Sequence, residues 1–224
     1  AGPAMIEGGG LGSFAPTDVG PIGVQAENGV VDLVADDEAH ATLLTQQCLG
    51  YFQGTQDAWQ CADQTELRDM MPADRRYVYE VRLIIKHLVD THSFLELTPA
   101  YGCAVVTGFA RIEGRAIGLI ANDCQMLGGA VDAEAAEKTA RFITLCDNFD
   151  IPILSLCDSP GFMVGPASEE QGAVRRMAQL FVAGAKLNTS LVTIFLRKGY
   201  GLGAMAMAGG SFHKPIYSAA WPSG

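Results

Sequence analysis

The sequence predicts an α/β protein in which short apolar strands alternate with helical segments. Residues 151–157 and 191–196 are brief apolar runs of the kind buried on both faces of a parallel sheet. The segment between them, 168–186, has the length and periodicity of the helical crossover that parallel strands require. Further upstream, two β-like runs flank the turn pair Glu113-Gly114, which reads as a hairpin feeding the same sheet.

The elements follow in order. Met5-Ile6-Glu7-Gly8-Gly9-Gly10-Leu11-Gly12 reads as a functional or packing loop that lacks an upstream strand. Asn28-Gly29 signals a turn before a short strand over 30–34, and Asp36-Asp37-Glu38 place acidic groups at the first turn of a helix running to about Gln47. Residues 50–72 are rich in Gln, Asp, Gly and Thr without apolar periodicity, the signature of a connector. A helix is expected after Asp74, with Val78, Val81, Ile84, Ile85 and Leu88 at helical spacing. Strands over 105–112 and 116–121, a helix capped by Asp132 and ending at Asn148, and the strand, helix and strand named above come next. A short β-like run, 216–219, precedes the end with no closing helix. With no initiator methionine at Ala1, the chain is expected to be cut from a larger protein at both ends.

Composition bounds the function. The chain has 224 residues, 49% hydrophobic and only 18% charged, enough for one or two ordinary cores. Its net charge of −10 disfavours nucleic acid or an anionic membrane surface as main partner, because both require a basic stripe. No apolar run approaches the roughly 18–20 residues of a membrane span. The six cysteines contain no Cys-x-x-Cys pair and the four histidines are dispersed, so neither a disulfide framework nor a metal site is indicated, and a reduced, soluble compartment is expected.

The motif with most chemical content is Arg197-Lys198-Gly199-Tyr200-Gly201-Leu202-Gly203-Ala204-Met205. An apolar strand ends in three alternating glycines and passes into a small-residue, helix-compatible segment. Glycine leaves backbone N–H groups uncovered, and a helix starting there adds unsatisfied donors and the positive end of its dipole, so an oxyanion or a phosphate would fit. Neither a Gly-x-Gly-x-x-Gly loop nor a Gly-x-x-x-x-Gly-Lys loop is completed, and alternating glycines also serve simple tight turns. The other apolar strand ends in Asp158-Ser159-Pro160-Gly161-Phe162, and carboxyl ends of parallel strands are where ligands bind. Phe162 either walls a pocket or packs beneath its loop. No nucleophile elbow, His-Asp couple or paired carboxylates accompany these loops, which leaves stabilisation by backbone dipoles.

Several motifs in order carry a family resemblance: Gly2-Pro3-Ala4-Met5-Ile6-Glu7-Gly8-Gly9-Gly10-Leu11-Gly12, Asn28-Gly29-Val30-Val31-Asp32, Phe94-Leu95-Glu96-Leu97, Asp158-Ser159-Pro160-Gly161-Phe162, Arg197 to Ala204, and Ala220-Trp221-Pro222-Ser223-Gly224. Together they resemble the carboxyltransferase (β) subunit of biotin-dependent acyl-CoA carboxylases of the acetyl-/propionyl-CoA type. The resemblance implies a crotonase-like ββα-superhelix. Residues 1–54 would end a first domain, 55–75 would connect, and 76–224 would form most of the second.

The implied activity is transfer of CO2 from carboxybiotin, carried on a separate domain, to the α-carbon of a short acyl-CoA. In that family carboxybiotin releases CO2, the biotin enolate takes the α-proton, and the acyl enolate attacks CO2. By position, the biotin-side oxyanion hole falls on the N–H groups of Leu202 and Gly203, where many relatives have Gly-Ala. Gly161, Phe162, Gly199, Tyr200, Gly201, Ala204 and Met205 would line the substrate. Met205 stands where relatives choose acyl length, although a core methionine reads equally well. The thioester-side hole would precede Ala1, so the 224 residues alone are expected to be inactive. Implied partners are a biotin carboxylase, a biotin carrier and further copies of the subunit, as dimers within a hexamer. The implied location is the cytoplasm, or the mitochondrial matrix in a eukaryote. A biotin-dependent acyl-CoA decarboxylase subunit, or a non-catalytic crotonase-like scaffold, would share these features.

Overall fold

The computed structural model describes residues 2–74 and 76–224. Ala1, which opens the expected first-domain segment, and Arg75, which closes the expected connector, lie outside the described residues. Among the described residues six strands form one sheet in sequence order: β1 Leu95–Leu97, β2 Val105–Ile112, β3 Arg115–Asn122, β4 Ile153–Ser159, β5 Leu191–Gly199 and β6 Tyr217–Ala220. Strands β1 to β3 pair antiparallel, and β3 to β6 pair parallel. The helices are α1 Pro3–Gly8, α2 Ile22–Glu27, α3 Glu38–Gly50, α4 Val81–Leu88, α5 Ala133–Asn148, α6 Pro166–Glu170, α7 Ala173–Lys186 and α8 Gly201–Met207. The α/β class and the parallel pairing around the crossover are as the sequence predicts.

Several local expectations are corrected. Residues 3–8 are helical, not looped, because Pro3 presets the first helical φ and four helix-tolerant residues follow before the glycines. Residues 30–34 do not form a strand. The N–H groups of Val30 and Val31 both turn back to the Gln25 carbonyl (3.1 Å each), so they close α2 instead of joining a ladder. The helix after Asp74 begins only at Val81. The N-cap Glu80 is extended, and Tyr79 ahead of it is tied to Cys124, whose Sγ accepts from the Tyr79 N–H at 3.4 Å and donates to its carbonyl at 3.2 Å. The expected helix over 168–186 is broken into α6 and α7 at Gly172, which adopts φ +68°. The strand expected from residue 151 starts at Ile153, because the Ile151 N–H is spent on the Cys146 carbonyl and Pro152 has no N–H to give. Strand β1, within Phe94-Leu95-Glu96-Leu97, is too short to show periodicity.

Other elements match closely. Asp37 caps α3 by accepting from the His40 N–H at 2.7 Å, and Asp132 caps α5 by accepting from the Ala135 N–H at 2.8 Å. The β2–β3 turn has Glu113 at φ 51° and Gly114 at φ 76°, and the buried Asp90 carboxylate takes both of their N–H groups.

Alternation along the strands divides the core between the two sheet faces. Val105, Ile120, Ile153 and Leu191 point to the side covered by α5, α7 and α8, while Val106, Leu119, Leu154 and Leu196 point to the side covered by α4. A sheet buried on both faces must bind ligands at its edges or at the ends of its strands. The fold thereby places the interesting loops at one end.

Candidate active site

Because β3, β4 and β5 run parallel, their carboxyl ends emerge at one edge, and the three loops that follow are neighbours. The loop after β3 covers 123–131. The one after β4 turns at Pro160-Gly161, and the one after β5 is the single residue Tyr200, which opens α8. Tyr200 is an extended N-cap without a side-chain hydrogen bond, and Gly201 follows at φ +60°. The Ala204 N–H reaches back to the Tyr200 carbonyl at 3.3 Å, so the first-turn donors before it, including Leu202 and Gly203, have no helical carbonyl to bond. The Leu202 side chain is 61% exposed and stands clear of the fold.

Gly203 and Gly161 bring two of the loops into backbone contact. A Cβ added to Gly203 would lie 2.5 Å from the Gly161 carbonyl carbon, a distance no side chain tolerates. Gly161 itself takes φ +134°, and its carbonyl accepts from the Val131 N–H at 3.0 Å, which joins the third loop. Ser159 fixes this turn: its Oγ accepts from the Gly161 N–H and donates to the Gly161 carbonyl, both at 3.1 Å.

The remaining expected site residues separate by environment. Gly199 ends β5 opposite Ser159, and Tyr200 is well exposed with its N–H on the Ser159 carbonyl at 3.1 Å. Phe162 is half-buried with its ring 6.0 Å from that of Phe181, so it packs beneath its loop. Ala204 is fully buried in the core, and Met205 is half-buried on α8. Leu202, Gly203, Gly161, Tyr200 and Gly201 are therefore together at the strand ends, while Ala204 faces inward.

Sequence reasoning missed a polar cluster under these loops. Asp158, fully buried, sits where the β4–β5 register shifts between Cys157 and Ser159. Its carboxylate accepts from the Tyr79 hydroxyl (2.8 Å) and the Lys198 N–H (3.0 Å), and pairs with the Arg197 guanidinium (3.2 Å) and the Lys198 ammonium (3.3 Å). The Asp158 N–H donates to Asn122 Oδ1 at 3.1 Å, and Asn122 Nδ2 donates to the Gly129 carbonyl at 3.3 Å. Gly129 has φ +86°, and a Cβ there would sit 2.2 Å from the Asp158 carbonyl oxygen. The available signals were an aspartate closing an apolar strand and a glycine pair, Gly128-Gly129, beyond another. Burial, aided by the Asp158 charge, pushes the Tyr79 phenol far up, and burial pushes the Cys157 thiol to about 12, so neither ionises near neutral pH. Among the described residues no group of three or more His, Cys, Asp or Glu could hold a metal ion, and no helix is long and apolar enough to cross a membrane.

Residues 17–224 match the carboxyl transferase domain family. The chain belongs to that family. It is 34% identical over 207 residues to the methylmalonyl-CoA carboxyltransferase 12S subunit of Propionibacterium freudenreichii subsp. shermanii, covering 88% of this chain and 39% of that protein. To the propionyl-CoA carboxylase beta chain of Rhodococcus erythropolis it is 39% identical over 198 residues, 84% of this chain and 41% of that one. Among solved structures, a single-chain, multi-domain long-chain acyl-CoA carboxylase superposes with a TM-score of 0.98 at 56% identity, covering the whole chain and 23% of that protein. The transcarboxylase 12S subunit with methylmalonyl-CoA bound gives a TM-score of 0.88 at 31% identity, over the whole chain and 45% of that subunit. The crotonase-like fold expected of a carboxyl transferase is thus the fold observed. The carboxyl transferase chain spans about two fifths of the length of the curated relatives it matches.

Proposed function

We propose that this carboxyl transferase chain supplies the biotin-side half of a site that moves CO2 from carboxybiotin to the α-carbon of a short acyl-CoA thioester. The observation that carries the reading is the contact of Gly203 with Gly161, which holds the uncapped first turn of α8 against the β4 loop with no side chain between them. The donors are neutral N–H dipoles, which suit a carbonyl oxygen on which charge develops during reaction. Such donors favour the charged state over the neutral one, and one donor in comparable acyl-transfer sites is worth about 3–4 kcal/mol. Leu202 and Gly203 are assigned as these donors, and Gly161, Gly199, Tyr200 and Gly201 as the shape around them.

The side chains present fit a role in binding and orienting. Tyr79 and Cys157 are held protonated at neutral pH, so neither offers a base beside the loop. Carboxybiotin, when bound, supplies both the CO2 and the base that removes the α-proton. Ser159 and Gly161 keep the turn rigid, and Tyr200 presents an exposed ring beside the donors. Residues 1–54, 55–75 and 76–224 are assigned as the tail of a first domain, a connector and the second domain. Helix α3 packs Leu44 and Cys48 against the core of the second domain while leaving Leu43 and Leu49 exposed for a neighbouring surface. The proposed partners are a biotin carboxylase, a biotin carrier and other copies of the chain, following the biotin-dependent beta subunits and the hexameric transcarboxylase 12S among its relatives.

The test is direct. The full-length protein is incubated with carboxybiotin and acetyl-CoA or propionyl-CoA, and the products are read by mass. Malonyl-CoA or methylmalonyl-CoA that forms only with carboxybiotin supports the assignment; no carboxylated thioester from any acyl-CoA tried ends it.

A further inference from the structure

Lys198 occupies an unusual position among the three loops. It lies near the end of β5, and its ammonium donates to the Gly128 carbonyl in the β3 loop at 2.8 Å. The same ammonium stands 3.3 Å from Asp158 Oδ1 at the end of β4, and that oxygen also accepts from the Lys198 N–H at 3.0 Å. One side chain therefore touches all three strand ends. Asp158 in turn is fixed by the Tyr79 hydroxyl and by Arg197, whose guanidinium lies 5.1 Å from the Tyr79 ring centroid. The carboxylate is almost wholly buried, whereas the Lys198 side chain is 25% exposed. In such a buried setting opposite charges attract more strongly than at the surface, because solvent screens them less.

We propose that Lys198 and Asp158 are a positioning pair that staples the β3, β4 and β5 loops into one rigid surface, and so sets where the Leu202 and Gly203 donors stand. The catalytic part of this inference rests on the carboxyl-transfer reading; the staple does not. Without Lys198, the Gly128 carbonyl loses its tie to β4 and β5, and the β3 loop is left with the Val131–Gly161 bond and the Gly129–Asp158 packing. Without the Asp158 charge, the bulged end of β5 keeps only a neutral amide oxygen as acceptor and loses both ion pairs, while Lys198 keeps Gly128.

The two substitutions accordingly differ in which amides they release. Hydrogen exchange is measured on the full-length protein and on its Lys198→Met and Asp158→Asn variants, following the hydrogen-bonded amides of Gly129 and Ala130 in one loop and Tyr200 and Ala204 in the other. Lys198→Met is expected to speed all four by roughly tenfold while α5 and α7 hold their wild-type protection. Asp158→Asn is expected to speed Tyr200 and Ala204 and to spare Gly129 and Ala130. Should Asp158→Asn fail to fold, Lys198→Met decides alone, since it leaves Asp158 bonded to Tyr79 and Arg197. Wild-type exchange at all four amides in Lys198→Met, or an equal rise over the whole chain, overturns the staple. In steady-state transfer to free biotin, Lys198→Met is expected to raise the KM for biotin several-fold and leave the KM for the acyl-CoA within about twofold. Equal shifts in both KM values overturn the positioning role. Absence of transfer by the wild type would sink the carboxyl-transfer reading and leave the exchange result to judge the staple.

Discussion

Gly161→Ala isolates backbone conformation from packing. Space is available, because the nearest atom to an added Cβ is the Tyr200 carbonyl oxygen at 3.9 Å. The obstacle is φ +134°, a region that L-residues avoid at a cost of about 1–3 kcal/mol. Alanine can keep that strain or relax it by rotating the turn. Rotation would disturb the Val131 N–H bond to the Gly161 carbonyl and both Ser159 Oγ contacts, at 3.0, 3.1 and 3.1 Å. It would also move the surface on which Gly203 rests, and a misplacement of about 1 Å in a preorganised site costs on the order of 10²-fold in rate. The full-length variant is therefore expected to lose about 10²-fold in kcat for carboxyl transfer, and its thermal midpoint should fall by roughly 2–4 °C for each kcal/mol of strain retained. A variant with kcat within about twofold of wild type and an unchanged midpoint would refute the argument that this glycine's conformation shapes the site.

Three other outcomes follow from different parts of the molecule. Leu202→Ala keeps the backbone donor and removes only an exposed side chain, so kcat should stay within about threefold; a loss on the order of 10² would transfer the role to the side chain. Gly114→Ala should free the segment around Gln56, because a Cβ there would lie 2.0 Å from the Gln56 carbonyl oxygen; faster proteolysis within 50–72 is the readout, and wild-type cleavage would count against it. The buried Lys138 ammonium is pushed down to about 8 by desolvation, below the ~10.4 of an unfolded lysine, so the folded state holds this proton less tightly. Wild-type stability should then rise relative to Lys138→Met by up to about 3 kcal/mol between pH 8 and 10.4, and a pH-independent difference in unfolding free energy would contradict the depressed value.

What sequence made legible depended on how local the cause was. Asp132 capping α5, the Glu113-Gly114 turn and the apolar cores of β4 and β5 all follow from neighbours within a few residues, and each was correctly placed. Residues 30–34 misled because β propensity requires a partner strand, and here the free N–H groups found the Gln25 carbonyl first. Asp158 looked like part of a turn motif, since the Tyr79 hydroxyl that meets it comes from 79 residues earlier in the chain.

Sequence alone therefore determined the class, the alternation of elements and the glycine loop after β5, because periodicity, capping and glycine's freedom act over short distances. Several motifs in order also sufficed to point to the carboxyl transferase family, which the match over residues 17–224 then established. Tertiary structure decided which glycines meet. Gly203 against Gly161, Gly129 against Asp158, and Lys198 across three loops arise because parallel strands deliver their carboxyl ends to one edge. There the Asp158 charge is shared by residues as far apart in sequence as Tyr79 and Lys198.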